Sequence, residues 1–165
     1  MSTTTPRTTR RIDASLVFAL IGLGISVYLT VEHYTASTLL ACPESATINC
    51  TKVTTSKWSE IAGIPVAVLG LAYFVVMTAL LVPAAWRRRA LDPVRIVAAA
   101  LGALMVVYLV YIELFRVDAI CLWCTGVHVC TVLMFGAVLW RTSVIDSAVI
   151  DTAVPDVDDG SSFSG

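Results

Sequence analysis

Charge is what this sequence has least of. Asp, Glu, Lys and Arg together make up 14% of its 165 residues, whereas a soluble domain carries about a quarter. So little charge excludes an ordinary water-facing globular surface. A soluble-type internal repeat and a low-complexity core are also missing. The length leaves no room for a second domain, so one compact bundle is expected. The net charge of -1 points to no class of partner, and no nucleic-acid partner is expected.

What the chain has instead is apolar bulk. Hydrophobic residues make up 58% of it, and the mean hydropathy is +0.85. They fall in long blocks, at about residues 14–34, 64–86, 94–115 and 119–140. Each block is roughly 20 residues, the length that carries a helix across a ~30 Å hydrocarbon layer. Helices are the natural form there, because their backbone groups bond to one another. The expected fold is therefore an all-α membrane protein, a bundle of four transmembrane helices. Its parts are a cytoplasmic segment over residues 1–13, the bundle over 14–141 and a disordered acidic tail over 142–165. The first block is longer than a secretory leader's apolar core and lacks an A-x-A cleavage site, so it reads as a retained span.

The sequence contains eleven Lys and Arg residues. Arg7, Arg10, Arg11, Arg87, Arg88, Arg89, Arg95 and Arg141 fall on one side of a four-span arrangement. Only Lys52, Lys57 and Arg116 fall on the other. The positive-inside rule then puts both termini and the 87–95 loop in the cytoplasm. The loop over about 35–63 and the turn near Val117 face outward. Four of the five cysteines gather at that outer face: Cys42 and Cys50 in the loop, Cys121 and Cys124 at the mouth of the fourth span. An extracytoplasmic compartment permits disulfides.

Cys121-Leu-Trp-Cys124 is a C-x-x-C at a helix start. A three-residue step puts both sulfurs on one face, and the positive helix N-terminus favours the thiolate that attacks disulfides. His128 shares that face, whereas Cys130 points to the opposite one and reads as packing. Two readings compete for these residues. One is a redox relay between the two cysteine pairs. The other is a membrane metal-binding or transport protein holding a soft metal on Cys121, Cys124 and His128. Cys42 and Cys50 alone could equally form a static loop disulfide. Glu113 is expected to snorkel to the outer interface, and Thr30, Thr78 and Thr131 to pack between helices.

Four stretches carry a resemblance: CPESATINCTKV from Cys42, SKW from Ser56, GIPVAVLG from Gly63 and CLWCTGVH from Cys121. They resemble the vitamin K epoxide reductase family over about residues 14–140, and its bacterial or archaeal members more than the vertebrate ones. The resemblance implies a four-helix bundle around a quinone (menaquinone or ubiquinone), with an outer loop and a short half-helix capping its mouth. It implies a thiol–quinone oxidoreductase that supports disulfide-bond formation, in the plasma membrane. Cys42 and Cys50 would be the shuttle pair, Cys121 would exchange with Cys50, and Cys124 would face the quinone. Ser56 matches a loop serine beside the shuttle cysteines. His128 stands where vertebrate members carry a tyrosine that hydrogen-bonds a quinone oxygen, and Val66 where they carry an asparagine. Some prokaryotic members carry a fused thioredoxin-like domain. None is expected here, so the implied partner is a separate extracytoplasmic DsbA-like or thioredoxin-like protein.

The charge split sets a direct test of orientation. In intact cells whose disulfides have been reduced, a membrane-impermeant thiol reagent is expected to label Cys42 or Cys50. Labelling only after the membrane is broken would invert the orientation.

Overall fold

The computed structural model describes residues 13–35, 42, 45 and 47–153, with side chains described as far as Val144. The chain is mostly helical. Its elements are α1 (Ala14–Thr35), a short α2 (Cys50–Thr54), a two-stranded hairpin of β1 (Glu60–Ile61) and β2 (Ile64–Pro65), α3 (Val66–Leu81), α4 (Asp92–Ile112) and α5 (Leu122–Ala153). A wide π-type turn, Glu113–Val117, continues α4. Three segments are long and apolar enough to cross a membrane, Ala14–Thr35, Arg89–Val117 and Leu122–Val144, while Val66–Leu81 is a shorter apolar helix.

The helix boundaries follow from local chemistry. The second apolar block was expected over 64–86, yet its helix has only 16 residues. Pro65 precedes it, and Pro83 ends it by forcing Val82 into an extended conformation (φ −61°, ψ 147°). In the hairpin before it, Ala62 and Gly63 both have positive φ (54° and 79°), as a two-residue turn between antiparallel strands requires. α5 differs in the other direction. The tail was expected to lose structure after Arg141, but the helix continues to Ala153. No Gly or Pro interrupts the sequence from 137 to 153, so nothing there breaks the backbone bonds. The rest of the expected tail, 154–165, and the N-terminal segment 1–12 lie outside the described residues.

α1 packs against α3 and α5, and α4 packs mainly on α5. Their shared core holds Ala19, Phe74, Met77, Leu81, Ala99, Cys130, Met134 and Val138. Large apolar side chains also cover the outside, among them Leu20, Val31, Val76, Leu101, Leu104, Val107, Val129 and Leu133. Helices apolar on all sides suit a lipid surround rather than water.

One end of the bundle is tied by a cationic clasp. The Trp86 ring lies between two guanidinium groups, Arg95 at 4.3 Å and Arg141 at 3.9 Å from its centroid. Trp86 Nε1 donates to the Leu81 carbonyl at 3.1 Å. Arg141 pairs with Asp13 ahead of α1. Arg95, counted with the loop in the sequence, is instead the fourth residue of α4 and fully buried. It tolerates burial because Asp92 and the Leu80 and Ala85 carbonyls accept hydrogen bonds from its N–H groups.

Gly22 is a close-approach position, since a Cβ there would collide with the Phe74 ring, whereas Gly24 has no described atom within 4 Å of such a Cβ. Gly22→Ala is expected to destabilise the detergent-solubilised protein by about 1–3 kcal/mol. Gly24→Ala should leave its melting temperature equal or slightly raised, and equal losses in both would show that helix contacts do not set the difference.

Candidate active site

The outer loop is stitched to the turn that enters α5. Ile48 and Ile120 form a single parallel bridge. Asn49 N donates to the Ile120 carbonyl at 3.1 Å, and Ile120 N donates to the Thr47 carbonyl at 2.9 Å. Bridged backbones run about 5 Å apart, and the chain continues through Asn49 to Cys50 on one side and directly to Cys121 on the other. Both cysteines are fully buried. Lys52 reinforces the junction by donating from Nζ to the Asp118 carbonyl at 3.3 Å. Asp118 itself takes the left-handed conformation (φ 51°) that turns the chain out of Glu113–Val117.

Each pair sits at the start of a helix. Cys50 opens α2, whose N-cap Asn49 accepts the Lys52 N–H at 2.8 Å. Cys50 is joined to the half-buried Cys42 by a disulfide, with Cα atoms 6.2 Å apart. Cys121 occupies the capping position of α5, and its Sγ accepts the Cys124 N–H at 3.3 Å. Cys121 and Cys124 are free thiols. Trp123, between them, packs on Tyr28 of α1 with ring centroids 4.8 Å apart. A hydrogen bond from the Cys124 thiol, aided by the Cys124 N–H, holds the Cys121 thiol below the value of a free cysteine, against burial and the nearby Glu113.

Behind Cys124 lies a cavity of about 280 Å³. Its wall is mainly apolar, with Leu29, Phe74, Leu101, Met105, Val106 and Leu109 contributing. Cys124 lines it, and so do His128 one turn further along α5, Ser56 and Val66. Cys121 is not part of the wall. Ser56 is engaged locally, its Oγ donating to the Val53 carbonyl at 2.9 Å. Trp58, which closes the cavity beside it, carries Lys57 at 5.3 Å and Arg116 at 5.4 Å over its ring. Cys130 lies in the hydrophobic core, as its place on the helix suggested.

Glu113, Tyr73 and Ser26 are among the further polar groups that line the cavity. Glu113 was expected to snorkel outward; instead it is 7% exposed and lines the wall. The reason is the wide turn, which keeps it within the bundle with its carboxyl near the Cys121 N–H. A carboxylate eight residues before a C-x-x-C was the available signal. Tyr73 and Ser26 carried none in the sequence, being single polar residues in apolar runs. Both hydroxyls are buried without a hydrogen-bond partner among the described residues. Of the three threonines read as packing residues, Thr30 and Thr131 donate to backbone carbonyls one turn back, and Thr78 Oγ1 is buried without a partner among the described residues. No group of three His, Cys, Asp or Glu side chains among the described residues is placed to hold a metal ion.

Paired cysteines at one end of a helical membrane protein, with an apolar cavity beneath them, are the arrangement that a membrane thiol oxidoreductase needs. The sequence matches the Vitamin K epoxide reductase family over residues 14–139, and the chain belongs to that family. Comparison with curated proteins gives no match.

Capping of α5 by Cys121 has a pH signature. In protein with Cys42, Cys50 and Cys130 replaced by Ala, the reaction of Cys121 with a small neutral thiol reagent should have its midpoint below the ~8.5 of a free cysteine. Cys124→Ala removes the thiol donor that favours the thiolate, so the midpoint should rise. A midpoint indifferent to Cys124 would assign the effect to the helix terminus alone.

Proposed function

We propose that this protein reoxidises an extracytoplasmic DsbA-like or thioredoxin-like partner and passes the electrons to a membrane quinone, so supporting disulfide-bond formation. In this reading α3 completes a four-span bundle, both termini are cytoplasmic, and the cysteines face outward across the plasma membrane. The observation that carries it is the division of labour between the thiols. Cys124 borders the cavity, Cys121 and Cys50 are buried at the stitched junction, and the outer pair is closed while the inner pair is open.

The cavity suits a quinone, an apolar ring with two carbonyl acceptors. The Tyr73 hydroxyl, without a partner among the described residues, is a donor on its wall, and His128 offers a ring N–H. Tyr73 thereby supplies a polar contact on a wall where Val66 has none. When bound, the quinone supplies a two-electron acceptor and a destination for two protons.

The chain's own residues do the thiol chemistry. A thiolate of the reduced partner attacks Cys42 Sγ, the Cys42–Cys50 bond breaks, and Cys50 leaves with the electron pair. The partner's second thiol then attacks the mixed disulfide, releasing oxidised partner and the Cys42 thiol. Cys50 attacks Cys121 Sγ of the Cys121–Cys124 disulfide, and Cys124 leaves as a thiolate into the cavity wall. Cys42 finally attacks Cys50, expelling Cys121. A low thiol pKa makes Cys121 a good leaving group in that step. The products are a closed outer pair and an open inner pair, the combination present in this structure.

The test mixes purified protein with a reduced thioredoxin-fold protein and follows quinone absorbance. Wild type should consume quinone and partner thiols together. Cys124→Ser should abolish quinone consumption, and Cys130→Ala should stay within about twofold of wild type. Thiol oxidation that ignores the quinone, or equal damage from both substitutions, would overturn the reading.

A further inference from the structure

Among the described residues that line the cavity, Glu113 is the single carboxyl, and the thiol relay leaves it unused. It is as buried as His128, both being 7% exposed. It comes from the wide turn after α4, not from α5, yet its carboxyl lies near the Cys121 N–H. It therefore touches the backbone of one inner cysteine and shares a wall with the sulfur of the other. The remaining titratable groups facing this space are His128 and Cys124 of α5, Tyr73 of α3 and His33 of α1. Arg116, on the same turn, is exposed and engages Trp58, and Lys52 is spent on the Asp118 carbonyl. No described cation thus neutralises Glu113 from within the cavity.

The proton balance of the inner pair needs such a group. Closing two thiols to a disulfide forms one S–S bond and releases two electrons and two protons. A quinone bound in the cavity would supply a destination for the same number of each. Both thiols are open; Cys121 is fully buried, and the half-buried Cys124 borders the apolar cavity, so the Cys121 proton has no direct path to bulk water. A thiolate at Cys121 beside an ionised Glu113 would put two negative charges within one apolar site, so one of them must be protonated.

We propose that Glu113 is the proton carrier for Cys121: it holds the proton that Cys121 gives up and releases it into the cavity as the pair closes to a disulfide, while Cys124, which borders the cavity, gives up the second proton there directly. This rests on the thiol–quinone reading above. Glutamine keeps the acceptor oxygen for the Cys121 N–H but cannot carry a proton, so Glu113→Gln separates chemistry from folding.

Two measurements test it. In the first, Glu113→Gln should slow quinone-coupled thiol oxidation by about 100-fold, with Glu113→Asp recovering part of the rate. Exchange between the outer pair and the partner should be unaltered, and so should the melting temperature. The second needs no quinone. In protein lacking Cys42, Cys50 and Cys130, Glu113→Gln should move the pH midpoint of Cys121 reactivity downward, because the competing negative charge is gone. An unchanged rate together with an unchanged midpoint would overturn the assignment. A wild-type protein that never couples thiols to quinone would instead sink the proposed function, whatever Glu113→Gln does to the midpoint.

Discussion

The pairing of residues 47–49 with Ile120 is the constraint on which the site depends. Two backbone hydrogen bonds join a loop from the first half of the chain to the last turn before α5. A short bridge is a weak structure alone, since each bond contributes only about 1 kcal/mol net. It holds because both sides are anchored. Val53 and Trp58 pack on Ile112, Val117 and Ala119, and Lys52 bonds the Asp118 carbonyl. The junction therefore forms as a unit, and it sets Cys50 and Cys121 in adjoining, water-free positions. Thiol exchange needs close approach of sulfur to sulfur, and a buried junction excludes competing thiols.

Helix starts supply the second ingredient. Cys121 replaces the usual oxygen-bearing cap of α5 with sulfur, which accepts a backbone N–H. The same position that completes the helix therefore stabilises the thiolate. Stability and reactivity are here one arrangement. The clasp of Trp86, Arg95 and Arg141 ties the far end of the same helices, so the cavity lies between two fixed ends, bordered by α1, α3, α4 and α5.

The sequence by itself determined the class of protein, the apolar segments, the face on which four cysteines gather and the family. Those properties are local: composition, block length, charge between blocks and short motifs survive without tertiary structure. It also placed Cys130 in packing, because helical periodicity needs only the spacing of residues on one helix. Its limits were proline-set helix ends at 65 and 83, and the run of α5 past Arg141, where polarity suggested a tail but no residue breaks a helix.

Tertiary structure alone decided which groups converge. Glu113, Tyr73, Ser26 and Cys124 come from four elements, and no periodicity relates residues so far apart in the chain. A glutamate near the end of an apolar run is compatible with snorkelling or with burial, and only the wide turn after α4 selects between them. Arg95 presents the same ambiguity, resolved by the acceptors and the aromatic face that packing brings to it. Sequence names the residues able to do chemistry. The distances that let them do it together are set by how the helices pack.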